Sequence, residues 1–266
     1  MSRIHSTAVI AGGARIAEDA EIGAYCCVGE GATIEAGVVL HPHVVVTGRT
    51  RIGSGTVVYP FASLGQPPQF VGFNRQASGL DIGSNNVLRE YVTMNEGTDT
   101  GGVPTRVGSN GYFMVGVHIA HDCKVGDNVV MANNATLAGH VSIGDHVIIG
   151  GLTAIHQNTR IGKHAMVGGC SAVGQDVVPF AMAAGNRCKL RGLNIVGLKR
   201  RNFSRADILA LRTAYRRLFL GPGAFTERID EVAVSMRESA VVMDIVSFIT
   251  ADASRPICTV AADTDN

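Results

Sequence analysis

The stretch VGDNVVMANNATLAGHVSIGDHVIIGG, residues 125–151, decides the fold. An apolar side chain recurs at every sixth position in it: Val125, Met131, Leu137, Ile143 and Ile149. A helix repeats its apolar face every 3.6 residues and a strand every two, so neither element alone has this period. The beat extends back through Ile119, Phe113 and Val107 and forward through Ile155, Ile161, Val167 and Val173. One residue out of phase with it, the N-terminal half carries the same beat at Ile4, Ile10, Ile16, Ile22, Val28, Ile34, Leu40, Val46, Ile52, Val58 and Leu64, then at Ile82, Leu88 and Met94.

Glycine follows many of these positions, as in Ile22-Gly23, Ile52-Gly53, Val125-Gly126, Ile143-Gly144 and Ile161-Gly162. Such a hexad is the signature of a parallel β-helix. Each hexad makes one flat face, and three close a triangular coil of about eighteen residues whose apolar positions stack into one interior. About ten coils at roughly 4.8 Å each give a prism near 45 to 50 Å long. The 33 glycines suit tight corners, while the absence of Trp suits a narrow core.

Two interruptions mark loops, at 65–79 and 97–106. The first contains Gln66-Pro67-Pro68-Gln69-Phe70 and keeps the frame from Leu64 to Ile82, so it reads as replacing one coil; the second shifts the frame. The β-helix is expected over 1–186 and a helical domain over 187–266. Ser204-Arg205-Ala206-Asp207 reads as an N-cap opening a helix to about Leu220, followed after Gly221-Pro222-Gly223 by helices over 226–239 and 240–251. Helices packed on the end of a β-helix would cover its open edge.

The N-terminus carries the repeat and no long apolar run, which argues against a signal peptide or membrane span. Six cysteines without a C-x-x-C pair fit reduced thiols in a cytosol. Overall charge is +1, yet Arg187, Lys189, Arg191, Lys199, Arg200, Arg201, Arg205, Arg212, Arg216 and Arg217 face one acid, Asp207, over residues 187–217. That basic pole invites phosphates or an acidic protein, against the plainer reading of a solvated helix face. Only Phe203 and Tyr215 interleave with it, which speaks against nucleic acid.

Six of the nine histidines fall between His118 and His164. The coil length puts Asp122, His140 and Asn158 on one file and His121, Gly139 and Gln157 on the next, with His118 and His156 nearby; His146 and His164 form a separate file and read as surface residues. His121 beside Asp122 suggests a general base held by a carboxylate, provided that a turn redirects one of the pair. A polar ladder along a coil edge is the plainer alternative. Zinc held by His118, His121, His140 and His156 is a further alternative, whose spacing does not match β-helix enzymes of the carbonic anhydrase type; no metal site is expected.

Four runs carry a resemblance: His118-Ile119-Ala120-His121-Asp122-Cys123, residues 132–141 (ANNATLAGHV), Val167-Gly168-Gly169-Cys170-Ser171, and Gly197-Leu198-Lys199-Arg200-Arg201. In this order, with a helical tail, the chain resembles the acyl-carrier-protein:UDP-N-acetylglucosamine O-acyltransferases, which begin lipid A synthesis. The resemblance implies a left-handed β-helix, a homotrimer with sites between neighbouring prisms, and a cytoplasmic enzyme. It implies His121 as general base for the sugar 3-hydroxyl, Asp122 as its orienter and the Gly139 N–H as oxyanion donor. His118, His140, His156, Gln157 and Gln69 would position the substrates, Asn194, Arg200 and Arg201 would bind UDP, and Gly169 would belong to an acyl-length ruler that accepts a long 3-hydroxyacyl chain. No cofactor is implied beyond the acyl-phosphopantetheine arm of acyl carrier protein, an acidic partner for the basic pole.

The departures lie on the acceptor side. Phe70 and Gly72 stand where the family has Asp and Lys, Val196 where it has Glu, and Arg187 where it has His. The 3-amino analogue of the UDP-sugar, giving an amide, is therefore the alternative acceptor. A non-catalytic trimeric scaffold is the alternative from another class.

Overall fold

The computed structural model describes residues 3–73, 78–98, 103–252 and 255–260. Each hexad lays down a short strand, mostly of two residues, such as Val130–Met131, with the first side chain half-buried and the second buried. Among the described residues three sheets of eleven, nine and eight strands, parallel except for the last pair of the eleven, form the faces of a prism. Face A includes Tyr112–Phe113, Val130–Met131 and Ile148–Ile149; face B includes His118–Ile119, Thr136–Leu137 and Ala154–Ile155; face C includes Lys124–Val125, Ser142–Ile143 and Arg160–Ile161. Ile119 pairs with Leu137 and Leu137 with Ile155, so the apolar positions of successive coils stack, each at most 2% exposed. The architecture is the parallel β-helix that the hexads imply.

Turning from one face to the next within two residues needs a left-handed backbone at the corner. Glycine supplies it at a few corners, but most are occupied by Asn, Asp, His or aromatic residues at φ near 60°: Asp122 (59°), His140 (61°) and Asn158 (63°) on the B/C corner, His146 (59°) and His164 (59°) on the C/A corner. Short polar side chains that bond locally tolerate this region best. The fold thus concentrates polar side chains along its corners before any chemistry is asked of them.

Both interruptions emerge at the B/C corner. Ile82 pairs with Ile52 and Leu80 with Thr50, thirty positions apart instead of eighteen, so the first loop adds twelve residues to one coil and does not replace a coil. Twelve and eighteen are both multiples of six, so the period cannot tell them apart. Ile82 pairs in turn with Val107, a spacing of 25, so the second loop adds seven and moves the frame by one.

The sheet continues past the last hexad. Ala181–Ala184 and Lys189–Leu193 form an antiparallel hairpin on face A, and the first helix, α1, begins at Ile195. Helix α1 (Ile195–Arg200) is too short to register as a periodic pattern; α2 (Arg205–Leu220), α3 (Phe225–Ser235) and α4 (Ala240–Thr250) follow. Ser204 caps α2 by accepting from the Asp207 N–H at 3.0 Å. Helix α4 lies over face C, held by Lys163 to Asp244 at 2.9 Å and by Arg160 over the Phe248 ring at 4.6 Å. Asp176, fully buried, accepts from Arg160 Nε at 2.6 Å and Arg255 Nε at 3.1 Å, which ties the end of the solenoid to the C-terminal segment. All six cysteines are free thiols, and no helix among the described residues is long and apolar enough to cross a membrane.

Candidate functional site

The B/C corner gathers His121, Asp122, Gly139 and His140. His121 and Asp122 are consecutive, and on a strand they would point to opposite faces; the left-handed backbone at Asp122 folds its carboxylate back under the imidazole. Asp122 Oδ2 lies 2.8 Å from His121 Nδ1 and 3.5 Å from His140 Nε2. The two imidazoles meet edge to face at 5.2 Å. Nε2 of His121 is thereby left facing outward, available to a proton donor. The His121 and Asp122 side chains are 15% and 10% exposed.

The second loop completes this dyad with residues that the sequence pattern gave no sign of. Asp122 also accepts from the Thr98 N–H at 2.9 Å and from Thr98 Oγ1 at 2.8 Å, and its own N–H donates to Thr105 Oγ1 at 2.8 Å. Thr98 and Thr105 flank the seven-residue insertion, so the frame shift pointed to the place but not to these bonds. Burial would raise the Asp122 carboxyl, but the bonds from His121 and Thr98 outweigh it and hold the group below the usual aspartate range. An ionised Asp122 is what fixes Nδ1 of His121 as the protonated nitrogen.

Gly139 lies against the outer side of the imidazole. A Cβ on it would stand 2.5 Å from His121 Cε1 and 2.7 Å from Nε2, so only glycine allows this approach. Its N–H has no hydrogen-bond partner among the described residues. His118, on face B, bonds Thr93 Oγ1 through Nδ1 at 2.8 Å; burial and then the His121 charge lower its pKa, keeping it neutral. The first loop brings Phe70 over the dyad, its ring 6.3 Å from the His121 ring and inclined by 29°, with Gln69 and Gly72 exposed beside it.

His156 and Gln157 are exposed and continue this edge into a groove of about 640 Å³ on face B. Its floor is Thr136, Ala138, Ala154 and Ala172, and Arg187, Cys188 and Lys189 close one end. Gly169 lies outside that floor, exposed at the A/B corner, where a Cβ would come within 3.1 Å of the Gly151 carbonyl.

Asn194, Arg200 and Arg201 are held apart from the dyad, around a cavity of about 630 Å³ on face A lined by Ile148, Met166 and Met182. Buried Asn194 caps α1, accepting from the Gly197 N–H at 3.1 Å, and donates to the His164 carbonyl at 3.0 Å. Arg201 donates to the His146 carbonyl at 3.1 Å, and burial lowers its pKa. These contacts lie on the C/A corner. His146 and His164, expected on the surface, are half-buried: they stack at 4.7 Å, His164 stacks on Phe180 at 5.6 Å and meets Phe203 edge-on at 5.0 Å. Every third hexad places the file, but the segment after the last hexad and α1 half-bury it.

For a metal, His121, Asp122 and His140 offer ligand atoms within 4.8 Å of one another, a set that excludes His118 and His156. Both carboxylate oxygens of Asp122 are already engaged by Thr98 and His121, so a cation there would have to displace the bonds that order the dyad.

The family model described as "Udp N-acetylglucosamine O-acyltransferase; Domain 2" matches residues 176–258. Curated acyl-[acyl-carrier-protein]–UDP-N-acetylglucosamine O-acyltransferases from Rickettsia prowazekii and Caulobacter vibrioides are 51% and 54% identical over 257 and 255 residues, covering 97% and 96% of this chain and 97% of each relative. The crystal structure of the UDP-N-acetylglucosamine O-acyltransferase from Moraxella catarrhalis is 40% identical, with a TM-score of 0.91 over 96% of this chain and 98% of that one. The chain belongs to the acyl-[acyl-carrier-protein]–UDP-N-acetylglucosamine O-acyltransferase family and is an acyltransferase.

Proposed function

We propose that this chain transfers a long 3-hydroxyacyl group from acyl carrier protein to the 3-position of UDP-N-acetylglucosamine, the first step of lipid A synthesis. The observation that carries the reading is Nε2 of His121, backed by ionised Asp122 on the other side of the ring and packed against Gly139, whose N–H has no partner among the described residues. Nε2 takes the proton of the acceptor as its oxygen attacks the thioester carbonyl. The tetrahedral oxyanion receives the Gly139 N–H, a donor fixed in place before reaction. Collapse expels the phosphopantetheine thiolate, which takes the proton back from the imidazolium. No metal or cofactor has a part in this sequence; Asp122 serves the imidazole instead.

His118, His140, His156, Gln157 and Gln69 surround the path of the two substrates. Asn194, Arg200 and Arg201 suit the diphosphate, but they occupy a different corner of the prism from His121. A complete site therefore needs the C/A corner of a second copy beside the B/C corner of the first, and three copies close such a ring. The floor of alanines on face B suits an acyl chain, and a larger side chain in place of Gly169 should shorten the chain accepted. The exposed arginines at 205, 212 and 216 on α2 suit the acidic carrier protein.

Phe70 favours a second acceptor. An apolar ring over His121, where the family has a carboxylate, removes a charged sugar contact and suits a neutral amine that needs less activation than a hydroxyl. Acyl transfer with UDP-N-acetylglucosamine and its 3-amino analogue offered side by side tests both. Loss of transfer in His121→Ala is expected with either sugar; unchanged transfer would refute the mechanism, and preference for the amine would make the loop the acceptor selector.

A further inference from the structure

The first loop leaves face B through a bulge. The strand Ser63–Gln66 pairs in register with Thr93–Asn95 at Ser63 and Leu64, then slips so that Gln66 lies beside Asn95. Gly65, at φ 83°, makes the slip, and a Cβ there would collide with Thr50 Oγ1 and the Thr47 carbonyl. Next come Pro67 and Pro68, which have no N–H and so can be tied down only through their carbonyls.

One buried side chain ties this stem. Asn95, 2% exposed, donates from Nδ2 to the Gln66 carbonyl at 3.2 Å and to the Pro67 carbonyl at 3.0 Å. The Glu96 N–H adds a bond to the same Gln66 carbonyl at 3.0 Å. Asn95 Oδ1 is buried without a hydrogen-bond partner among the described residues, so the amide serves here through its two hydrogens and not its oxygen. Phe70 follows at once, its N–H donating to the Pro68 carbonyl at 2.9 Å. Asn95 thus grips the stem of the turn that holds Gln69 and Phe70 beside His121. Glu96 anchors the same strand on its other side. It is 6% exposed, accepts from the Arg49 N–H at 2.7 Å and packs so closely on Gly48 that no Cβ would fit there. That bond holds the chain leading to Thr98, and with it the Asp122 carboxylate, independently of Asn95.

We infer that Asn95 is a positioning residue for the acceptor: it sets the height of Gln69 and Phe70 over His121, and through them where the sugar's 3-substituent meets Nε2. The inference rests on the proposed function in taking the acceptor to be a UDP-sugar held under that loop. Because Glu96 secures the dyad side separately, loosening Asn95 disturbs sugar binding and spares the base.

The test joins hydrogen exchange to steady-state acyl transfer, on the full chain carrying Asn95→Ala or Asn95→Asp. The first removes both donors; the second keeps the shape but turns a carboxylate towards two carbonyl oxygens. In either variant the Glu96 and Phe70 amides, whose acceptors lie on the stem, should exchange about tenfold faster, while strands such as Val130–Met131 keep wild-type rates. Unchanged exchange at Glu96 and Phe70 overturns the inference, whatever the chain acylates. KM for the UDP-sugar should rise about tenfold, as the loss of two amide–carbonyl bonds implies. Both kcat and KM for acyl carrier protein should stay within about twofold. A merely structural role would instead lower the amount of active enzyme, reducing kcat with both KM values unchanged, and that result overturns the inference. In a Gln69→Ala, Phe70→Ala background, Asn95→Ala should raise KM by less than about twofold, because the side chains that it positions are gone; an undiminished effect overturns it too. A wild-type chain that acylates neither UDP-N-acetylglucosamine nor its 3-amino analogue overturns the proposed reaction instead, and exchange at Glu96 and Phe70 then decides the tether alone.

Discussion

Gly139→Ala tests how closely the corner confines the general base. The added methyl would begin 2.5 Å from His121 Cε1, 2.7 Å from Nε2 and 3.1 Å from Nδ1. Non-bonded carbons settle near 3.5 to 4.0 Å, so the imidazole must withdraw by about 1 Å. Its Nδ1 is bonded to Asp122 at 2.8 Å, and that carboxylate is fixed by Thr98. A 1 Å retreat breaks this bond or drags the carboxylate from its donors. Misplacement on that scale costs on the order of 10²-fold in rate, about 2.7 kcal/mol of barrier. Gly139 has no left-handed φ, so alanine is compatible with the backbone and folding should survive. The assay is initial-rate acyl transfer from a 3-hydroxyacyl carrier protein, with circular dichroism and thermal melts to verify the fold. Gly12→Ala, with nothing within 4 Å of the new methyl, is the control and should be neutral. A Gly139→Ala enzyme that keeps near-normal kcat with a wild-type melt would refute the confinement of His121 argued from these distances.

Asp122→Asn keeps the shape of the side chain but not its power to fix the His121 tautomer; kcat should fall by about 10² to 10⁴, read in the same transfer assay. Because the folded-state pKa of Asp122 is depressed, its contribution to stability is present above the ordinary aspartate value of about 4 and is lost as pH falls through the lower folded value; Asp122→Asn should flatten urea-midpoint curves on that acid side. Burial, then the charges of His146, Arg201 and Lys163, push His164 down to about 4, so between roughly 6.5 and that value the unfolded chain binds the extra proton and stability drops with pH. His164→Phe, which keeps the stack on Phe180, should remove that loss in the same urea titrations. Asp176→Ala leaves Arg160 and Arg255 without their shared buried partner, a cost of about 3 to 5 kcal/mol, visible in chemical denaturation and as faster hydrogen exchange in residues 255–260.

The solenoid was legible because one rule repeats along it: every coil presents an inward apolar position, and Ile4 to Leu64 never miss it. Helix α2 was legible because Ser204 and Asp207 supply an N-cap and a first-turn acid; α1 was not, because six residues give no periodicity and its cap, Asn194, spends its side chain on long-range contacts. The length of the first loop was ambiguous because twelve and eighteen residues both preserve a six-residue beat. In the site, the eighteen-residue spacing brought Asp122 and His140 onto one file, and the structure puts them on one corner. Thr98 and Thr105 were invisible, since their role depends on how a seven-residue insertion closes in space rather than on any spacing in the chain. The partial burial of His164 was missed for a like reason: Phe180 and Phe203 come from just before the hairpin and from between α1 and α2, beyond the last hexad.

The corners explain why this fold can host a site at all. Inward positions are committed to packing and outward strand positions to the ladder of the next coil, which leaves little freedom on the faces. At a corner the backbone is already left-handed, the residues tolerated there are already Asn, Asp and His, and consecutive side chains can converge as His121 and Asp122 do. A prism has three such edges. In this chain one carries the base and its carboxylate, one carries Asn194 and Arg201 on the His146 and His164 carbonyls, and one carries stacked rings. The same left-handed corner thus serves ring stacks on two edges, Tyr25 to Tyr91 on one and His146 to Phe180 on another, and a base with its carboxylate on the third.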